Sequence, residues 1–335
     1  MGARQILLDF KISENVLSRN VLLQWDGAWY KLIATSGYDY GPLKESLRFF
    51  PLYPMLARAL AWLPGISESL ALLLIANACA LAVGWIVYAI VMQERDDPAL
   101  AQKAVWLIYL APPAFVLAMG YAESLYLLLS GAMLLLLRRQ RWWIAAPLGF
   151  LAALTRPVGV LLALPAVVEG WRRRDAKALA PAIAPALGLV AYLAWVERKT
   201  GSFLTPMRLQ NDTDLRGGWV DPFSAVAHNV RELFSGTHFS AGIHLVAVLV
   251  FAALLYVAFK RWPLSFSLYA AASLFVALGS RNLDSFERYG YATIVLVLAG
   301  ADVMTTPERE HVVYLVAAGG LAVAAMLAFT GVLVP

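Results

Sequence analysis

The sequence predicts an all-α, polytopic membrane bundle, and three observations carry that prediction. Hydrophobic residues make up 61% of the 335-residue chain and charged residues only 15%, whereas a soluble domain is about half apolar and a quarter charged. The apolar excess falls in runs of membrane-crossing length. The short loops between those runs are basic, as in Arg138-Arg139-Gln140-Arg141 and Trp171-Arg172-Arg173-Arg174.

The same observations set limits on function. The net charge of +5 sits in short inter-helix loops, where membrane topology demands it, so it is not the footprint of nucleic-acid binding. Cys79 is the single cysteine and lies inside an apolar run, so no intrachain disulfide forms. Residues 1–24 contain Asp9, Lys11, Glu14 and Arg19 and lack the apolar core of a cleavable signal.

In chain order, residues 1–24 read as an amphipathic segment lying in the interface, with Ile6, Leu7, Phe10, Val16, Leu17 and Val21 on one face. Residues 25–48, broken by Gly27, Gly37, Gly41 and Pro42, read as an irregular outer loop. Residues 49–63 begin with Pro51 and Pro54 and read as a short half-buried helix, since proline is tolerated in a first turn. Ser67 is the expected N-cap of the first full span, 69–92. Spans follow at 104–119, 121–137, a pair at 142–155 and 158–170 that goes out and back, and 179–197. Residues 198–240 form the one long polar loop. Four further spans, 241–260, 263–279, 288–305 and 312–333, complete a single integral membrane domain of about ten crossings.

Charge bias orients this chain. The loops at 93–103, 138–141, 171–177, 260–262 and 306–311 hold most of the short-loop Lys and Arg, which makes their side cytoplasmic. Alternation then gathers residues 1–48, Gly120-Tyr121, Thr155-Arg156-Pro157, 198–240 and 280–287 on the outer side.

The chemistry-bearing residues all fall on that side. Asp26 lies in Trp25-Asp26-Gly27-Ala28-Trp29-Tyr30, an acid among rings that favour the bilayer edge; the bland alternative is an aromatic belt with an incidental acid. Glu123 opens a span, and Arg156 interrupts an apolar run. An ionisable group at membrane depth costs about 2.5–3.5 kcal/mol on insertion scales, so such groups tend to pair and to face a cavity. Their bland readings are a helix-terminal acid and a snorkelling arginine. Arg288, in Asp284-Ser285-Phe286-Glu287-Arg288-Tyr289, suits either an anion site or an interfacial anchor.

Asn211-Asp212-Thr213-Asp214 contains a D-x-D pattern of the kind that holds a metal, although such patterns arise often by chance. His228, His238 and His244 are too widely spaced for a zinc site. No phosphate-binding glycine loop, H-E-x-x-H or nucleophile elbow occurs.

Taken in order, Trp25-Asp26-Gly27-Ala28-Trp29-Tyr30, Gly37-Tyr38, Phe49-Phe50-Pro51-Leu52-Tyr53-Pro54, Gly120-Tyr121-Ala122-Glu123-Ser124, Thr155-Arg156-Pro157 and Arg288-Tyr289 resemble the bacterial relatives of GPI mannosyltransferase II. This is the PIG-V-like family within the GT-C glycosyltransferases, and the resemblance spans about residues 24–300. It implies a GT-C-like bundle with catalytic loops on the extracytoplasmic face. It also implies transfer of a hexose, usually mannose, from a polyprenyl phosphate to a glycan, glycolipid or protein acceptor. The family's acid in the first outer loop falls on Asp26. Family members usually carry a span before that loop, and here residues 1–24 do not look able to supply one.

On this reading Asp26 is the general base of a single displacement with inversion. Arg156, Arg288 and Arg48 neutralise the leaving phosphate. Trp25, Trp29, Tyr30, Tyr38, Tyr53, Tyr121 and Glu123 support the substrates. No cofactor is called for, because a monophosphate leaving group needs a metal less than a diphosphate does; a divalent metal stays open. The alternatives are a lipid-linked sugar flippase, which should carry polar residues at mid-membrane in several spans, a non-catalytic scaffold, and a related enzyme moving another sugar such as arabinose.

Overall fold

The computed structural model describes residues 21–38, 43–211, 217–235, 240–283 and 285–330. Among them every regular element is helical. In the N-terminal half the helices are α1 (Asp26–Ser36), α2 (Leu52–Leu60), α3 (Glu68–Arg95), α4 (Pro98–Leu110), α5 (Glu123–Arg138), α6 (Trp142–Thr155) and α7 (Ala163–Arg173). They continue with α8 (Leu179–Thr200), α9 (Thr205–Gln210), α10 (Pro222–Ser235), α11 (Ser240–Arg261), α12 (Leu264–Leu278), α13 (Phe286–Tyr291), α14 (Ile294–Val303) and α15 (Pro307–Phe329).

Several boundaries follow from local chemistry. Ser67 caps α3 as expected, its hydroxyl accepting from Leu70 N. Asp97 caps α4 in the same way, with Pro98 in the first turn. Thr306 caps α15.

Among the described residues, four helical stretches are long and apolar enough to cross a membrane: Glu68–Arg95, Ala176–Thr200, Gly242–Arg261 and Pro307–Phe329. Their outward faces expose Leu81, Trp85, Leu187, Leu249 and Leu315, as helices bathed in lipid do. The protein is a membrane protein.

Two expectations need correction. Residues 25–48 are not an irregular loop: 26–36 is helix α1, and 43–48 is a 3-10 turn. Gly27 is accommodated inside the helix, and only Gly37, at φ 71°, ends it. Nor are the expected crossings all single helices. The 104–119 run stops at Leu110 and becomes a 3-10 turn, Pro112–Leu117, because Pro112 and Pro113 supply no backbone N–H. The 288–305 run is split into α13 and α14 at Ala292-Thr293.

Helix α3 packs on α5, α5 on α6, and α6 on α8, while α15 lies along the Pro112–Leu117 turn. The α6–α8 contact is close enough that a Cβ on Gly188 would come within 2.3 Å of Phe150 O.

The basic loops share one end of this bundle. Arg95 binds Arg261 O at 2.9 Å and Asp302 at 3.1 Å, and Lys103 binds Glu310 at 3.0 Å. Arg138 holds Glu94 through two bonds of 2.8 Å and Glu169 through two of 3.1 Å. The other loops meet at the opposite end, where Gly120 N donates to Leu22 O at 2.8 Å and Val220 N to Gly279 O at 3.1 Å. The alternation read from loop charge is therefore visible as geometry.

Candidate active site

At the less basic end, helix starts and helix breaks bring four ionisable side chains from distant positions together. Asp26 is the first residue of α1, in the turn where a helix favours an acid. Trp25 before it sits at φ 53°, outside the range a bulky residue prefers. Strain of this kind costs about 1–3 kcal/mol and persists only where the surroundings fix it. Here the docking of the Gly120 turn on Leu22 and Leu23 does so: a Cβ on Gly120 would lie 2.4 Å from Leu23.

Glu123 opens α5. Arg156 follows α6 in extended conformation, φ −151° and ψ 143°, because Pro157 excludes it from the helix. Arg288 is carried by the short α13, preceded by Ser285 at φ 65°.

The four groups form one network. Arg288 Nη1 lies 2.5 Å from Asp26 Oδ2, and Arg156 Nη1 lies 2.7 Å from Glu123 Oε1. Arg288 Nε is 3.4 Å from the same Glu123 oxygen but makes no hydrogen bond among the described residues. Two arginines, charged at any ordinary pH, thus face two acids.

Accessibility separates the members. The side chains of Glu123, Arg288 and Arg156 are 3%, 6% and 10% exposed, whereas that of Asp26 is 28% exposed. Glu123 is a buried counter-charge; Asp26 is the acid a substrate can reach.

A cavity of about 650 Å³ opens on this network. Of the residues expected from sequence, Asp26, Arg156, Arg288, Arg48, Trp25, Trp29, Tyr30 and Glu123 line it. Arg48 lies over Trp29 and Phe49, with its guanidinium carbon 5.6 and 5.0 Å from the ring centroids. Trp25 Nε1 is buried without a hydrogen bond among the described residues, which leaves a donor available at the cavity edge.

Three expected residues do not line the cavity. Tyr53 is fully buried, donates to Leu72 O at 2.9 Å and packs edge-on against Tyr30. Tyr38 donates to Phe49 O at 2.7 Å and packs on Trp195. Tyr53 thus belongs to the core and Tyr38 packs half-buried against it, and neither faces the cavity. Tyr121 is buried beneath Arg288, whose guanidinium carbon is 5.2 Å from its ring centroid, so it supports the cation from behind.

Other cavity residues were given no role from sequence, Tyr289 being noted only within the Arg288-Tyr289 motif. Tyr289 lies under both cations, 4.8 Å from Arg156 and 5.3 Å from Arg288. Tyr126 lines the floor and shares a 2.8 Å hydrogen bond with Tyr269. Its signal was present: Glu123, Tyr126 and Ser130 recur at helical spacing on one face of an otherwise apolar α5. Met207 and Gln210, from α9 within the long polar segment, also line the cavity, and nothing in their sequence context marks them.

Asp212, Thr213, Asp214, His238 and Asp284 lie outside the described residues. Among the described residues no group of three His, Cys, Asp or Glu side chains is placed to hold a metal ion.

The family model described as Mannosyltransferase (PIG-V) matches residues 8–163. That range contains Asp26, Arg48, Glu123 and Arg156, though not Arg288. The N-terminal half of the chain is thus similar to that family. A solved structure of ArnT from Cupriavidus metallidurans, bound to undecaprenyl phosphate, matches with a TM-score of 0.56 at 15% identity. The match covers 97% of this chain and 63% of that one, so this chain spans under two thirds of the ArnT length. No curated protein sequence matches. The fold is thus the one seen in the ArnT structure.

Proposed function

We propose that this protein transfers a hexose, mannose by preference, from a polyprenyl monophosphate to a hydroxyl acceptor outside the cytoplasm. The observation that carries the reading is the Asp26–Arg288 pair: an accessible carboxylate and a buried guanidinium in contact at the edge of a 650 Å³ cavity. The family description names mannosyl transfer, and the ArnT structure holds undecaprenyl phosphate; both support this choice of donor. The gathering of basic loops at the opposite end supports the extracytoplasmic placement.

The chemistry follows from charge. The donor is a phosphodiester with one negative charge. In the displacement the acceptor oxygen attacks the anomeric carbon, its proton passes to Asp26, and the bond from that carbon to the phosphate oxygen breaks. The leaving phosphate gains a negative charge as Asp26 loses one, so the total charge of the site is unchanged. That conservation matters in a low-dielectric pocket, where a new net charge would be costly. Arg288, released from a neutralised Asp26, is free to turn its fork toward the phosphate. Arg156 is the second cation beside it, and Arg48 lies further along the wall. Glu123, buried between the two guanidinium groups, holds them in place. A single displacement inverts the anomeric centre.

The test is incubation of the purified protein with polyprenyl-phosphate mannose and candidate glycan, glycolipid and peptide acceptors, with the product's anomeric configuration determined. An inverted mannosyl product supports the reading. Retention, or transport of the lipid-linked sugar without product, overturns it.

A further inference from the structure

The basic end of the bundle carries a surface that the proposed chemistry does not use. Residues 139–141 and 171–177 hold six cations and one acid, Asp175. The two loops are joined. Trp142 Nε1 donates to Asp175 Oδ2 at 2.6 Å, and Lys177 N donates to Asp175 Oδ1 at 3.0 Å. The bond from Lys177 N, and then that from Trp142, hold the Asp175 carboxyl below the usual carboxylate range, so it stays ionised as the anchor of the joint. Arg141 immediately precedes Trp142, and Arg174 immediately precedes Asp175. The joint therefore brings a cation from each loop to one place.

These cations are not spent on the protein. Arg141, Arg172, Arg173 and Arg174 are exposed. Among the described residues none of the four meets an acid within ion-pair distance. Arg139 donates to the neutral side chain of Gln93. The nearby acids Glu94 and Glu169 are taken by Arg138.

The surroundings indicate what covers them. Trp143 and Ile144 of α6, Val167 and Trp171 of α7, and Leu179 and Ile183 of α8 are all more than half exposed. Helix α8 belongs to a stretch of membrane-crossing length, Ala176–Thr200. Apolar faces of this kind meet lipid, and indoles favour the depth where acyl chains give way to headgroups. The arginines then lie at headgroup level, where their stems follow the apolar surface and their forks reach phosphate. We propose that the joined loops bind the headgroup of an anionic phospholipid in the leaflet at the basic end, with Arg141 and Arg174 on its phosphate and the exposed indoles against its acyl chains. A guanidinium takes a phosphate through two parallel N–H···O bonds. A zwitterionic headgroup brings its own cation into the cluster and is the weaker ligand.

The purified protein in neutral detergent is titrated with short-chain phosphatidylglycerol, short-chain phosphatidylcholine and inorganic phosphate. Bound lipid is counted by native mass spectrometry, and melting temperature is recorded. Phosphatidylglycerol is expected to bind about ten-fold more tightly than phosphatidylcholine and to raise the melting temperature, as a ligand of the folded state does. Inorganic phosphate at the same concentration is expected to do neither. The double variant Arg141→Gln, Arg174→Gln is expected to weaken phosphatidylglycerol by about ten-fold, through loss of two charge-assisted contacts. Both side chains are exposed, so this variant alone should melt as wild type does.

Two further variants separate a built site from the general charge of this end. Lys260→Gln with Arg309→Gln removes the same charge from other basic loops and is expected to change the affinity by less than about two-fold, because exposed charges at a distance are screened. Trp142→Phe breaks the joint without changing the charge and is expected to weaken phosphatidylglycerol by about three-fold or more, because the two loops then lose their shared register. Equal affinity for the two lipids overturns the site, as does equal binding of inorganic phosphate, which would make the ligand a free anion. An equal loss in the Lys260 and Arg309 double variant, or an unchanged affinity in Trp142→Phe, overturns it in favour of diffuse attraction.

Discussion

The two ends of the bundle carry the same chemical groups and use them differently. At the basic end Arg138 directs three nitrogens to Glu94 and Glu169, and Glu169 also accepts from Ser265 at 2.6 Å. None of these residues lines the cavity. At the other end Arg156 and Arg288 each make one hydrogen bond to an acid, with Arg288 Nε lying 3.4 Å from Glu123 without bonding it; both rest on aromatic faces and open on a void. An arginine whose fork is occupied by carboxylates ties helices together. One that keeps donors in reserve beside a cavity is available to a ligand. Buried ion pairs alone therefore do not mark a site; incomplete pairing beside space does.

Substitutions at the two ends should separate accordingly. The largest effect is expected from Asp26→Asn, which preserves shape and removes the base. General-base catalysis contributes about 10²–10⁴-fold, so kcat should fall by that factor while donor KM and melting temperature stay close to wild type. Near-normal turnover would remove Asp26 from the proton transfer. Next is Arg138→Met, which should do the reverse. It strands Glu169, 1% exposed, without its counter-charge. Breaking a buried pair from one side costs about 3–5 kcal/mol, read as a large drop in melting temperature, while the protein that remains folded keeps its kcat. A loss of turnover without loss of stability would make the basic end part of the site.

How much of this contrast was legible beforehand depends on what made it. The apolar runs and basic loops exposed the membrane class and the sorting of loops to two ends, because both follow from the cost of placing charge in lipid. Asp26, Glu123, Arg156 and Arg288 stood out for the same reason: each is an ionisable or irregular interruption of an apolar pattern. Two things were hidden. Helix α1 was obscured by Gly27 and by aromatic residues, whose helix propensity is weak and which tertiary packing against α2 overrides. The division of tyrosines into lining (Tyr30, Tyr126, Tyr289) and non-lining (Tyr38, Tyr53) depends on how each packs, with the Tyr38 and Tyr53 hydroxyls tied to backbone carbonyls and that of Tyr126 to Tyr269, and that is a property of the packed bundle. Met207 and Gln210 reach the cavity from a long polar segment whose composition predicts only exposure.

Arg156→Lys tests the reserve of donors itself at a smaller scale. Lysine keeps the charge but loses the fork. Removing one charge-assisted hydrogen bond, worth about 1.5–3 kcal/mol, should raise donor KM about ten- to a hundred-fold, with kcat reduced less. The pairing with Glu123 persists through the ammonium group, so stability should change little. Unchanged KM for both Arg156→Lys and Arg288→Lys would take the arginines out of the phosphate role and leave them as structural as Arg138.

The smallest expected effect lies at the floor of the cavity, where the two kinds of role meet in one bond. Tyr126 lines the void and Tyr269, its partner at 2.8 Å, does not. If the bond serves packing alone, Tyr126→Phe and Tyr269→Phe remove the same interaction. Each should then cost about 0.5–1.5 kcal/mol of stability, and the double variant should cost little more than either single one. That is the expected result, with kcat and KM unaffected by all three, because the Tyr126 hydroxyl already has a protein partner. A rise in donor or acceptor KM confined to Tyr126→Phe would show instead that this hydroxyl leaves Tyr269 when substrate arrives. The floor would then belong to the same class as Asp26 and Arg288, groups whose resting partner is exchanged for a ligand.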